Sequence, residues 1–209
     1  MKRIEHREEK WIFPFVEYSP ETKKEKLPLV VQLHGAGERG EGKDDLKAVD
    51  VHGFSKYLKD NEHDCMFVMP QCPSDTFWAA RVESIIKFIE QILNEFDLDE
   101  NRVYLTGLSM GGYGTWFTAM SRPDLFAAIA PICGGGMAWN ADVLTMPVWA
   151  FHGAEDNIVS PVQSDEMIAK LRECNSDVKY SRFDGVGHNS WELACNRELI
   201  EWLLSKKRK

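Results

Sequence analysis

Short apolar runs alternate along the chain with longer stretches in which apolar residues recur every three or four positions. The runs are Trp11 to Tyr18, Leu29 to His34, Cys65 to Met69, Arg102 to Thr106, Ala127 to Pro131, Val148 to His152 and Val178 to Phe183. Near-continuous runs of this length suit strands covered on both faces. Between them, Ala79 to Phe96 places Val82, Ile85, Ile86, Ile89, Ile92, Leu93 and Phe96 on one helical stripe. Gly112 to Ser121, Val162 to Glu173 and Ser190 to Ser205 read as further helices. The alternation predicts an α/β protein: one domain over residues 1–209, with a mainly parallel central sheet and helices on both faces. In such sheets the site lies beyond the carboxyl ends of the strands, so motifs there matter most.

Charge narrows the partners. The 209 residues carry 25 basic against 33 acidic side chains, a net charge of −8. Nucleic-acid binding needs a basic footprint, and none is present. No run approaches the roughly 18 apolar residues of a membrane-crossing helix, so no membrane partner is expected. The start MKRIEHREEK has no apolar leader behind it. Five cysteines, odd in number and without a CxxC pair, argue for free thiols, with one disulfide such as Cys65 with Cys72 as the alternative, and for no metal cluster and a cytoplasmic setting. The basic tail Lys206 to Lys209 reads as a solvated helix end.

The chemistry gathers at the ends of the strands. RVYLT is followed by Gly107-Leu108-Ser109-Met110-Gly111 and then by a helical pattern. This is G-x-S-x-G in its confirming context of strand, sharp turn and helix, which lifts a serine hydroxyl above the sheet. A serine hydroxyl is a weak nucleophile without a general base, and the base needs a carboxylate to orient it. In this architecture the acid and then the histidine follow the serine along the chain. After VWAFH comes Gly153-Ala154-Glu155-Asp156, and after YSRF comes Asp184-Gly185-Val186-Gly187-His188. His188 is the expected base and Asp156 the expected acid, with Glu155 and, more remotely, Asp184 as competitors. His34 and His152 precede glycines at strand ends and are expected to support loop geometry.

Acyl transfer also needs donors for the oxyanion. The amide of Met110, directly after the nucleophile, supplies one. The loop His34-Gly35-Ala36-Gly37-Glu38-Arg39-Gly40 supplies the other, at Ala36 or next to it at Gly37. This loop opens no helix directly and lacks Lys-Ser/Thr, so it is no dinucleotide or phosphate loop.

HGAGERG, DENRVYLTGLSMGGYGTW, FHGAEDNIV and GVGHNSW together resemble the α/β-hydrolase superfamily. More narrowly, they are similar to small carboxylesterases of the feruloyl-esterase and predicted-peptidase group, near dienelactone hydrolases and phospholipase/carboxylesterases. The resemblance covers nearly the whole chain. It implies a serine carboxylesterase with Ser109, Asp156 and His188 as its triad and no metal or organic cofactor. Dienelactone hydrolases use a cysteine where this chain has Ser109, which argues against that activity. A serine peptidase or amidase would use the same residues. A non-catalytic binding module with this fold would have lost a triad member, and all three are present.

The segment from about Cys133 to Met146 is too short for a large cap domain. An open cleft is therefore expected, suited to short acyl groups of about two to four carbons (each buried methylene being worth only about 0.8 kcal/mol) or to hydroxycinnamoyl-type aromatic esters, small or attached to a polymer. Trp78 and Trp191, with Gly37, are the candidate substrate-binding residues, and Trp139 is a weaker one. Nothing in the pattern sets the oligomeric state.

Overall fold

In the computed structural model, residues 1–22, 26–175 and 177–208 are described. The strands are β1 (Lys2–His6), β2 (Phe15–Ser19), β3 (Leu27–Leu33), β4 (Met66–Pro70), β5 (Leu98–Leu108), β6 (Ala128–Ile132), β7 (Val148–Gly153) and β8 (Val178–Phe183). They form one sheet in the order β1-β2-β4-β3-β5-β6-β7-β8. The β1–β2 and β2–β4 pairs are antiparallel, and every later pair is parallel. The helices are α1 (Phe54–Leu58), α2 (Val82–Glu95), α3 (Met110–Ser121), α4 (Val162–Cys174), α5 (Trp191–Ala194) and α6 (Arg197–Leu204).

Successive side chains on a strand point to opposite faces, so each buried strand feeds two cores. Leu29, Val31 and Leu33 of β3 pack with Ile85, Phe88 and Ile89 of α2, and with Trp116 of α3 and Met167 of α4. Val30, Phe67 and Tyr104 face the other way, onto the layer that holds Phe54 and Leu58 of α1 and Leu199, Ile200 and Leu203 of α6. Fully burying one such aliphatic side chain stabilises the fold by roughly 1.5–3 kcal/mol. Parallel strands covered on both faces need apolar residues at consecutive positions, which is why the runs lack alternation.

Four local features depart from the sequence pattern. The edge strand β1 reads KRIEH, and its charged residues conceal a strand: Arg3 pairs with Glu5 and Asp50, and Arg7 with Glu5. The run from Trp11 becomes a strand only at Phe15, because Pro14 has no N–H for a ladder; Trp11 and Phe13 are nonetheless buried. The segment Ser190 to Ser205 is two helices rather than one, restarting where extended Asn196 accepts a hydrogen bond from the Leu199 amide at 3.1 Å. The 3-10 stretch Asp44–Asp50 and α1 are too short to show a helical period. Of the basic tail, Lys209 lies outside the described residues, and Lys206 pairs with Asp177 at 2.6 Å.

Among the described residues, the segment between β6 and β7 carries only the 3-10 helix Ala138–Val143, so there is no large cap. Among the same residues, no helix is long and apolar enough to cross a membrane.

Candidate active site

β5 delivers Ser109 at a sharp turn into α3. Its φ of 55° and ψ of −115° lie in a region that a side chain rarely adopts. Such backbone strain costs about 1–3 kcal/mol and persists only where the surroundings enforce it. Here a hydrogen bond from the Ser109 amide to the Ile132 carbonyl at 3.0 Å ties the turn to β6. The flanking glycines are required by close approach. A Cβ on Gly107 would strike the Gly111 carbonyl, and one on Gly111 would strike the Leu33 carbonyl.

His188 and Asp156 come to the same place from the loops after β8 and β7. The Ser109 Oγ lies 2.8 Å from His188 Nε2, and His188 Nδ1 lies 2.7 Å from Asp156 Oδ2. The other carboxylate oxygen of Asp156 accepts the amides of Ile158 and Val159, each at 2.9 Å. Burial alone would raise the Asp156 carboxyl. The hydrogen bond from His188 and the two amides outweigh it and hold Asp156 below the ordinary carboxylate range. An ionised Asp156 fixes the proton on Nδ1 and leaves Nε2 free to accept from the serine hydroxyl. The competing acids are elsewhere: Glu155 and Asp184 are exposed.

His34 and His152 are buried and bonded to the backbone. His34 Nδ1 faces the Gly35 carbonyl at 2.6 Å, and its Nε2 accepts the Cys72 amide at 2.9 Å. His152 bonds Ser164 Oγ at 2.7 Å and the Val159 carbonyl at 3.0 Å, bracing the loop that carries Asp156.

Ala36 opens the 3-10 turn Ala36–Glu38 and Met110 opens α3, so the amide of neither has an intrahelical acceptor. Both residues line the same cleft as Ser109, a space of 410 Å³ whose other walls are Arg39, Phe77, Ala79 and Tyr113. A larger cavity of 680 Å³ opens among residues at the amino ends of β6, β7 and β8 and contains none of these groups.

Of the candidate substrate-binding residues, Trp78 requires correction. It is fully buried, its indole N–H bonds the His34 carbonyl at 3.1 Å, and its ring packs against Phe13 and His34. It supports the cleft from behind and does not line it. The neighbouring Phe77, 54% exposed, is the aromatic wall instead, because the chain enters the 3-10 turn Trp78–Ala80 there and turns one ring in and the other out. Trp191 stands edge-on to the His188 ring at 5.3 Å. Gly37 is exposed on the 3-10 turn Ala36–Glu38 and does not belong to the cleft lining, and Trp139, 76% exposed, is likewise outside it. Arg39, Phe77 and Tyr113 were missed as cleft residues. Their only sequence signal is proximity: each lies within four residues of an expected site residue.

Cys133, Asp156 and His188 bring potential metal-ligand atoms within 4.8 Å of one another. Each is otherwise engaged. Both ring nitrogens of His188 and both oxygens of Asp156 are hydrogen-bonded, and burial pushes the Cys133 thiol up to about 12, keeping it protonated. Hydrogen bonds already occupy the His188 and Asp156 atoms that a metal would need. All five cysteines are free.

A parallel sheet of this order, with a strained serine after its central strand and an acid and a histidine after later ones, defines a class. The chain has the α/β-hydrolase fold. Residues 79–146 match the prolyl oligopeptidase family. A crystal structure of a thermostable esterase superimposes with a TM-score of 0.82 at 33% identity, over 99% of this chain and 63% of that one. A bifunctional acetylxylan esterase/xylanase of Neocallimastix patriciarum is 27% identical over 75% of this chain and 23% of its own length. A poly(3-hydroxyalkanoate) depolymerase C of Paucimonas lemoignei is 33% identical over 52% of this chain and 28% of its own. The chain thus spans only about a quarter of the length of these two curated relatives.

Proposed function

We propose that the protein is a serine carboxylesterase working through an acyl-enzyme intermediate. The observation that carries this reading is the Ser109–His188–Asp156 chain of hydrogen bonds at 2.8 and 2.7 Å, opening on a cleft shared with the amides of Ala36 and Met110. Ser109 Oγ attacks the ester carbonyl as His188 Nε2 takes its proton. The amides of Ala36 and Met110 donate to the oxyanion. Collapse of the tetrahedral species breaks the carbonyl–alkoxy bond, and His188 returns the proton to the departing alcohol. A water, deprotonated by His188, then attacks the acyl-enzyme, releasing the acid and restoring Ser109.

The substrates are esters of short or compact aromatic acids, free or attached to a polymer. The modest cleft without a cap favours them, with Phe77 rather than Trp78 as the stacking face. The polymer-attached class is supported by the names of the relatives, an acetylxylan esterase and a polyhydroxyalkanoate depolymerase. The free, largely buried thiols fit a cytoplasmic setting. A peptidase reading draws on the prolyl oligopeptidase match, which stops at residue 146, short of both Asp156 and His188. Aryl esters from acetyl to octanoyl, methyl ferulate and an aryl amide, assayed side by side, test the proposal. Turnover of short esters or of ferulate with little amide cleavage supports it. Preferential amide cleavage would assign a peptidase.

A further inference from the structure

The cleft beside Ser109 contains a cation that nothing in the proposed acyl transfer uses. Arg39 follows the 3-10 turn Ala36–Glu38, and its side chain is fixed at two points. Nε donates to the Ala36 carbonyl at 3.0 Å, and Nη1 donates to the Thr76 carbonyl at 3.2 Å. Both acceptors are neutral. Among the described residues, no carboxylate pairs with this guanidinium, and Nη2 has no acceptor. Arg3, Arg7, Arg122 and Arg197 each hold a carboxylate, while Arg102 and Arg208, which hold none, bond neutral oxygens away from this cleft. The neighbouring Glu38 does not serve, because its carboxylate oxygens lie 3.8 Å from His34 Nδ1 and His52 Nε2. The cleft lining contains no acidic residue at all.

We infer that Arg39 recognises a negative charge on the acyl portion of the substrate, and that the cleft takes monoesters of short dicarboxylic acids. The assignment to the acyl side rests on the proposed ester hydrolysis. His188 must protonate the leaving alcohol, so the alcohol departs on the His188 side. The cleft walled by Ala36, Arg39, Phe77, Met110 and Tyr113 does not include His188, and it receives the acyl chain. A guanidinium already held by two backbone carbonyls loses little freedom on binding, and its remaining N–H groups form charge-assisted bonds to a carboxylate.

The experiment compares kcat/KM for monoethyl glutarate and for ethyl 5-methylhexanoate, its neutral isostere, by pH-stat at low salt. The wild type should favour the anionic ester by about tenfold or more. That preference should shrink as salt rises, a series that needs no variant. Arg39→Gln should abolish the preference, and Arg39→Lys, which keeps the charge, should retain part of it. No preference in the wild type overturns the inference, as does an equal loss on both esters in Arg39→Gln, which would make Arg39 only a staple of the oxyanion loop. Calorimetric binding of the two intact esters to Ser109→Ala separates this inference from the one beneath it. If the wild type hydrolyses neither ester but Ser109→Ala binds the anionic one selectively, the esterase proposal fails and the anion subsite stands. If both are hydrolysed equally, the reverse holds.

Discussion

Acidification should destabilise this protein through His34, by an amount that its surroundings set. The ring is buried at the end of β3 with both nitrogens committed. Nε2 accepts the Cys72 amide at 2.9 Å, so the ring's single proton sits on Nδ1 and faces the Gly35 carbonyl. A second proton can enter only at Nε2, where it would meet an N–H. Burial pushes the pKa down to about 4, although the bond to Gly35 acts in the opposite direction. In the unfolded chain the ring titrates near 6.5. Between those values the unfolded chain holds a proton that the folded one does not, so stability falls as pH falls through that window. It is flat, for this group, above and below it. At about 1.4 kcal/mol per pH unit the whole window costs roughly 3 kcal/mol, a large part of a typical domain's stability. His34→Gln supplies a non-titrating acceptor. Urea unfolding of both proteins, from about pH 7 to about pH 4, should show the wild type's advantage shrinking by roughly that amount. Parallel pH profiles, differing by less than about 0.5 kcal/mol in their total change, would refute the argument.

Other substitutions separate roles within the site. Ser109→Ala should remain folded and lose turnover on the order of 10⁶-fold, read with a chromogenic acetate ester. Asp156→Asn should lower turnover on the order of 10⁴-fold through the wrong His188 tautomer, whereas Glu155→Gln, exposed, should change little; reversed phenotypes would move the acid by one residue. Trp78→Ala should cost about 3–5 kcal/mol in chemical denaturation, as a core truncation does, while Phe77→Ala should raise KM for aromatic esters with little loss of stability. Across an acyl series the maximum kcat/KM should fall at about two to four carbons, since the cleft offers little apolar depth for the roughly 0.8 kcal/mol that each buried methylene supplies; a maximum at about eight carbons would contradict this.

What could be read from the sequence divides along physical lines. The six parallel strands and α2, α3 and α4 were legible because burial on both faces forces long apolar runs and helical stripes. The positions of Ser109, Asp156 and His188 were legible because the elbow requires glycine on both sides and the later groups must follow strand ends. β1 was hidden, since an edge strand with one partner is free to carry charge. Trp78 reads as a cleft residue in the sequence and Phe77 is not seen, because only the path of a three-residue turn decides which of the two neighbouring rings faces the cleft. Arg39 could be seen in HGAGERG, but that no carboxylate among the described residues pairs with it is a property of three-dimensional neighbours.

The account rests on Ser109 forming a covalent acyl-enzyme. Mixing the protein with excess 4-nitrophenyl acetate, quenching in acid within the first turnover and mapping the peptides by mass spectrometry tests this directly. One acetyl group should appear on the peptide carrying Ser109, and none on that peptide in Ser109→Ala. Acetylation confined to another residue, or undiminished turnover by Ser109→Ala, would contradict it.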